Sequence, residues 1–168
     1  MFATHTKYIS KGRDSVVREV IFKTKQGKDI PLVCKSMRSE DFNKEVSRLV
    51  GHDNPNLEKI IHIWPSRPNT LLFCERLDKT LSKAIIRDIA HELDLAMQIL
   101  NGLKFLHEKM RLAHCDLKEN NIMIDNTDTL VKIIDFNNCV FEPQFGKFEL
   151  GVTLAKKRSE EHTSELQS

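Results

Sequence analysis

The run His114-Cys115-Asp116-Leu117-Lys118-Glu119-Asn120-Asn121 puts a carboxylate, an amine and a carboxamide on one short stretch of chain. The apolar triplet Ile122-Met123-Ile124 follows it, and a little further on comes Ile133-Ile134-Asp135-Phe136-Asn137. Alone, Asp116 would be a turn carboxylate and Asn121 a turn residue. Together, on two polar loops bracketing short apolar strands, they make a place to hold a hard cation through oxygen atoms and an anionic phosphate through the lysine.

The rest of the chain must position those groups. Residues Lys7 to Lys35 read as strands. Val16 to Phe22 is rich in β-branched residues and ends at the turn Gln26-Gly27-Lys28-Asp29, and Ile30 to Cys34 is a second apolar run. The period then changes. Phe42, Val46, Leu49 and Val50 fall on one stripe of a helix spanning Ser39 to Val50, with an acidic start. Ile60 to Trp64 and Leu71 to Cys74 form two strands around Pro65-Ser66-Arg67-Pro68-Asn69. After a polar connector, Glu75 to Asp78, the pattern predicts helices over Leu81–Ile89 and Glu92–His107. The second of these carries Leu95, Ile99, Leu103 and Leu106 on one face. Ile122–Ile124 and Leu130–Ile134 make a hairpin around Asp125-Asn126-Thr127-Asp128. The expected fold class is α+β: a small antiparallel β-lobe with one helix over about 1–74, a hinge at about 75–78, and the start of a helical lobe over about 79–157.

That order of motifs resembles a eukaryotic-type protein kinase domain, with H-x-D-L-K-x-x-N at His114–Asn121 and D-F at Asp135-Phe136. The resemblance covers roughly residues 7 to 140. It implies that Asp116 orients the substrate hydroxyl, that Lys118 neutralises the γ-phosphate, and that Asn121 and Asp135 hold Mg²⁺. It makes Lys35, ending Leu32-Val33-Cys34-Lys35, the ligand of the ATP phosphates, with Glu45 as its carboxylate partner and Glu40 as the weaker candidate. The Lys35-to-Glu45 separation is short for the family and implies a shortened helix. Ser10, Gly12 and Ser15 occupy the glycine positions of the phosphate-covering loop. Val17 and Val33 become the ceiling of an adenine pocket and Met123 its floor. Cys74 becomes a small residue at the back of that pocket, which it leaves open, and Glu75 to Leu77 the hinge backbone. Leu49, His114 and Phe136 resemble members of an apolar spine.

The departures carry their own expectations. Val33 replaces an alanine and adds bulk above the adenine, where overpacking costs about 1–3 kcal/mol. Cys115 replaces the arginine of H-R-D, which implies activity that does not wait for a phosphorylated activation loop. Asn137 replaces the glycine of D-F-G, where the tolerance of Asn for left-handed backbone would keep the turn. Lys118 favours serine/threonine over tyrosine hydroxyls. The alternatives are a pseudokinase or nucleotide-binding scaffold and a small-molecule phosphotransferase; the D-L-K triplet argues against the last.

The chain has 168 residues, 40% apolar and 30% charged, with a formal net charge of +2, so bulk charge gives no sign of nucleic-acid binding. Cys34, Cys74, Cys115 and Cys139 show no C-x-x-C spacing, which removes support for zinc or thioredoxin-like chemistry and predicts separate thiols, buried or half-buried. The chain shows neither a signal segment nor a membrane-length apolar run, so an intracellular, cytoplasmic protein acting on protein substrates is expected. The segment Arg158 to Ser168 resembles a translated sequencing-adapter string and is expected to be a non-native tail. With it comes the expectation that the kinase-like region is cut short, leaves an apolar helix face uncovered, and is inactive in this form.

Overall fold

The computed structural model describes residues 2–11 and 15–141. Gly12 and the expected tail lie outside them. Five strands form an antiparallel sheet: β1 (Phe2–Lys11), β2 (Ser15–Lys23), β3 (Asp29–Arg38), β4 (Ile60–Pro65) and β5 (Asn69–Glu75), in the order β1-β2-β3-β5-β4. The register decides which side chains share a face. Val17 lies opposite Lys35, Lys35 opposite Leu72, and Val33 between Glu19 and Cys74. Because side chains alternate along a strand, these residues point from one side of the sheet towards the second lobe. The turn between β2 and β3 carries Gly27 at φ +80°, a left-handed conformation that glycine adopts without a Cβ penalty.

The helix expected over Ser39–Val50 is a single 3₁₀ segment, Lys44–Leu49. Its start is fixed by Asn43, whose side chain accepts a hydrogen bond from the Glu45 N–H at 3.0 Å. A 3₁₀ turn stacks residues three apart. Val46 and Leu49 are buried, and Glu45 pairs with Arg48 on the outer side at 2.6 Å. The helix expected over Leu81–Ile89 is likewise reduced to a 3₁₀ turn, Leu81–Lys83. Leu81 and Ala84 pack on a core cluster of Leu95, Ile122, Ile124 and Val131, but Ile85 and Ile86 behind them are 70% and 47% exposed, so the stretch buries too little to stabilise a longer helix.

After β6 (Lys79–Thr80), the long helix α1 (Ile89–Phe105) is capped by Asp88, which accepts from the His91 N–H at 2.8 Å. The chain then runs through a wide turn, Leu106–Met110, into β7 (Leu112–Ala113), β8 (Ile122–Ile124), β9 (Val131–Ile133) and β10 (Val140–Phe141). β8 and β9 are the expected hairpin, with β6 added on its edge. Leu95 and Leu106 of the predicted stripe are buried and Ile99 and Leu103 pack on the core, while Leu93, Met97 and Leu100 are exposed. Gly102 lets the helix approach closely: a Cβ there would lie 2.9 Å from the Asn56 carbonyl oxygen. One core joins the two lobes. It contains Val46, Leu49, Ile60, Leu72 and Cys74 from the first and Leu106, Leu112, Ile133 and Phe136 from the second. The predicted spine residues Leu49 and Phe136 lie in it, and His114 packs edge-on against Phe136 with ring centroids 5.6 Å apart.

Candidate active site

The loop between β7 and β8 is tied to the end of β9 through its backbone and one histidine. Asn121 N–H donates to the Lys118 carbonyl at 2.8 Å, and Ile134 N–H donates to the Asn121 carbonyl at 2.9 Å. His114 is buried. Its Nδ1 accepts from the Asp116 N–H at 3.3 Å, so the proton sits on Nε2, which donates to the Ile134 carbonyl at 2.9 Å. The residue before Asp135 is thereby fixed relative to the residue that carries the Asp116 carboxylate.

Asp116 Oδ2 accepts from Lys118 Nζ at 2.7 Å, from Asn121 Nδ2 at 3.1 Å and from Asn138 Nδ2 at 3.4 Å. Asn121 Nδ2 also donates to the Asp116 carbonyl at 2.9 Å. With Nδ2 committed to Asp116 in this way, the amide turns its Oδ1 to the other side, where a cation could be met. Asp135 has φ +64° and lines a cavity of about 70 Å³ with Ser15, Lys35, Glu58 and Phe136. The left-handed residue is therefore Asp135 and not Asn137. Asn137 serves instead as an anchor: its Oδ1 accepts from the Asn43 N–H at 3.2 Å, and its carbonyl accepts from Asn43 Nδ2 at 3.0 Å.

Lys35 is mostly buried, and its partner is not the expected Glu45. Nζ lies 2.8 Å from Oε2 of Glu58, whose side chain is 4% exposed. Burial alone would depress the ammonium, but the Glu58 carboxylate, helped by Cys74 and Asp135, outweighs it and holds Lys35 above its ordinary value. Glu45 is excluded by the 3₁₀ geometry that turns it towards Arg48. Glu40 is exposed and pairs loosely with Arg38 at 3.5 Å. Glu58 escaped the motif reading because it follows the helical segment instead of belonging to it. The clue was the short Lys35-to-Glu45 separation, together with a carboxylate set among Leu57 and Ile60, both fully buried.

The larger cleft, about 530 Å³, is lined by Ser10, Val17, Val33, Lys35, Glu75, Leu77, Met123 and Ile134 among others. The residues expected to form ceiling, floor and hinge are thus brought around one space. Cys74 is fully buried behind it. Glu58 lies against the Cys74 thiol; burial first, and then that carboxylate, push the thiol well up from its usual range. The hinge is braced by Glu75, which accepts from Lys132 Nζ at 2.7 Å and from the Lys59 N–H at 2.6 Å. None of the four cysteines forms a disulfide, and Cys115, expected to be at least half-buried, is exposed at a left-handed position, φ +59°. Among the described residues, no three His, Cys, Asp or Glu side chains cluster as a metal site, and no helix is long and apolar enough to cross a membrane.

Comparison with known proteins agrees with this geometry. The family described as "Protein kinase domain" matches residues 5–147. The chain is 30% identical over 137 residues to a probable LRR receptor-like serine/threonine-protein kinase of Arabidopsis thaliana, covering 76% of this chain and 12% of that protein. It is 34% identical over 109 residues to calcium-dependent protein kinase 6 of Plasmodium berghei, covering 61% and 7% respectively. It is 25% identical over 142 residues to the tyrosine-protein kinase receptor svh-2 of Caenorhabditis elegans, covering 78% and 13%. The chain belongs to the protein kinase domain family, and its sheet, connector and helix form the two-lobed arrangement of that family. It spans about an eighth or less of the length of these relatives.

Proposed function

We propose that this domain transfers the γ-phosphoryl group of ATP to serine or threonine hydroxyls of proteins. The observation that carries the reading is the Asp116–Lys118–Asn121 constellation, in which Lys118 and Asn121 both donate to one carboxylate oxygen of Asp116. Adenine would lie between Val17 and Val33 above and Met123 below, its edge against the backbone of Glu75 to Leu77. Lys35 would meet the α- and β-phosphates. Lys118, 53% exposed, can leave Asp116 to meet the γ-phosphate as negative charge moves. Asp116 would then orient the incoming hydroxyl and accept its proton.

The donor set suits Mg²⁺, which takes one or two protein oxygens and completes its shell with phosphate oxygens and water. Asp135 and the Oδ1 of Asn121 would supply them. Such an ion neutralises charge on the phosphates, and the same residues would be too few for a cation held by protein alone. Lysine two residues after Asp116 supports serine and threonine as acceptors.

The test is radiolabelled phosphate transfer to a mixed protein substrate by a protein carrying this domain, followed by phosphoamino-acid analysis. Phosphoserine and phosphothreonine are expected. Phosphotyrosine alone would overturn the acceptor assignment, and absence of Mg²⁺-dependent ATP binding would overturn the whole reading.

A further inference from the structure

We infer that Glu58 takes the place of a helix-borne carboxylate as the partner of Lys35, and that His52 is the positioning residue that holds it. The pair is then assembled by the junction between the lobes, with Glu58 tied to β9 and to His52. The role given to Lys35 rests on the proposed function, but the pairing itself does not.

Three restraints fix Glu58, two of them from β9 and one from His52, whose own N–H donates to the Leu49 carbonyl at 3.4 Å. Its N–H donates to the Ile133 carbonyl at 2.8 Å, and the Ile133 N–H in turn donates to the Asn56 carbonyl at 2.9 Å. The neighbouring Leu57 is fully buried and forms a parallel bridge with Ile133. The Glu58 carbonyl accepts from His52. The His52 Nδ1 accepts from the Asn54 N–H at 3.1 Å, which places the proton on Nε2, 3.0 Å from that carbonyl. His52 thus secures Glu58 just as His114 secures Ile134, each ring reading one backbone N–H and donating to one carbonyl. For Glu45 to replace Glu58 it would have to leave Arg48 and bring a second carboxylate into a buried space already shared with Cys74 and facing Asp135, where like charges repel.

The test reads coupling in the unfolding equilibrium of the whole chain, without nucleotide. Lys35→Met and Glu58→Gln are expected to be non-additive by at least tenfold in the unfolding constant, whereas Lys35→Met and Glu45→Gln add. Additivity of the first pair, or equal coupling to Glu45, overturns the inference. If Glu58→Gln alone does not fold, Lys35→Met/Glu58→Met is expected to fold, since replacing both ions by apolar groups removes the unpaired charge; failure of both overturns it. His52→Ala should abolish most of the coupling and His52→Gln, which keeps an N–H donor, should restore it; loss in both assigns His52 a merely structural role. A chain that binds no ATP but shows this coupling would sink the proposed function and leave the pairing intact.

Discussion

Replacing Gly102 by alanine tests whether α1 sets the height of the Glu58 platform. In an ordinary helix the change is favourable by about 1 kcal/mol, because alanine is the better helix former. Here the new Cβ would stand 2.9 Å from the Asn56 carbonyl oxygen, 3.1 Å from Ile133 Cδ1 and 3.2 Å from Leu57 Cδ2. The two side-chain tips can yield by a few tenths of an ångström. The carbonyl cannot yield cheaply, because it accepts the Ile133 N–H at 2.9 Å and the same stretch carries Glu58. Overpacking costs about 1–3 kcal/mol, and a weakened backbone hydrogen bond adds about 0.5–1.5 kcal/mol. Subtracting the propensity gain leaves a net loss of about 0.5–3.5 kcal/mol. Urea denaturation followed by circular dichroism measures it as a lower midpoint at unchanged slope. Asn101→Ala, on the exposed side of the same turn, should be neutral or slightly stabilising. A Gly102→Ala chain at least as stable as wild type would refute the close approach and the support it gives to Asn56–Glu58.

Other outcomes follow from the site. In a protein carrying the complete domain, Asp116→Asn should lower phosphoryl transfer by about 10²–10⁴-fold, the range of a lost general base, while Mg²⁺·ATP affinity measured by calorimetry stays within about twofold; unchanged turnover would remove Asp116 from the mechanism. Asn137→Gly, which restores the family glycine, should destabilise the chain by about 1–2 kcal/mol through lost hydrogen bonds to Asn43 and to the Asp41 carbonyl, and a gain in melting temperature would contradict the anchor role. Native-state alkylation should modify Cys115 well before Cys74 or Cys139, since Cys115 is exposed and burial foremost pushes Cys139 up to about 12; mass mapping that finds Cys139 first would contradict it. Burial pulls Asp125 upward, but hydrogen bonds from Thr127, Leu130 and Thr129 outweigh it and hold the carboxyl at about 2. Its contribution is present above the unfolded value of about 4 and is lost as pH falls towards 2, so Asp125→Asn should flatten the acid limb of stability over that window, and an unaltered limb would count against the turn.

What could be read in the sequence was whatever depends on local period and on motif order. β-branched runs bounded by turn residues placed the strands, and the family resemblance put Val17, Val33 and Lys35 around one pocket; the register sets all three on one face. The tight H-x-D-L-K-x-x-N spacing brought Asp116, Lys118 and Asn121 together because all three lie on one short loop. A stripe was enough for α1, where four apolar residues recur over three turns, but not for the shorter segment before it. Phe42, Val46, Leu49 and Val50 have helical spacing, yet Val46 and Leu49 are also three apart and satisfy a 3₁₀ turn equally well, while Asn43 prefers capping to continuing a helix. That choice is invisible to a periodicity of apolar residues, and it moves Glu45 from the cleft to solvent. The vacancy it leaves beside a buried lysine demands a carboxylate, since an unpaired buried ammonium is costly. A chain that keeps Lys35 with so short a helical segment must find its partner on whatever element reaches the same cleft, and the Asn56–Glu58 stretch, tied to β9, is the one that does.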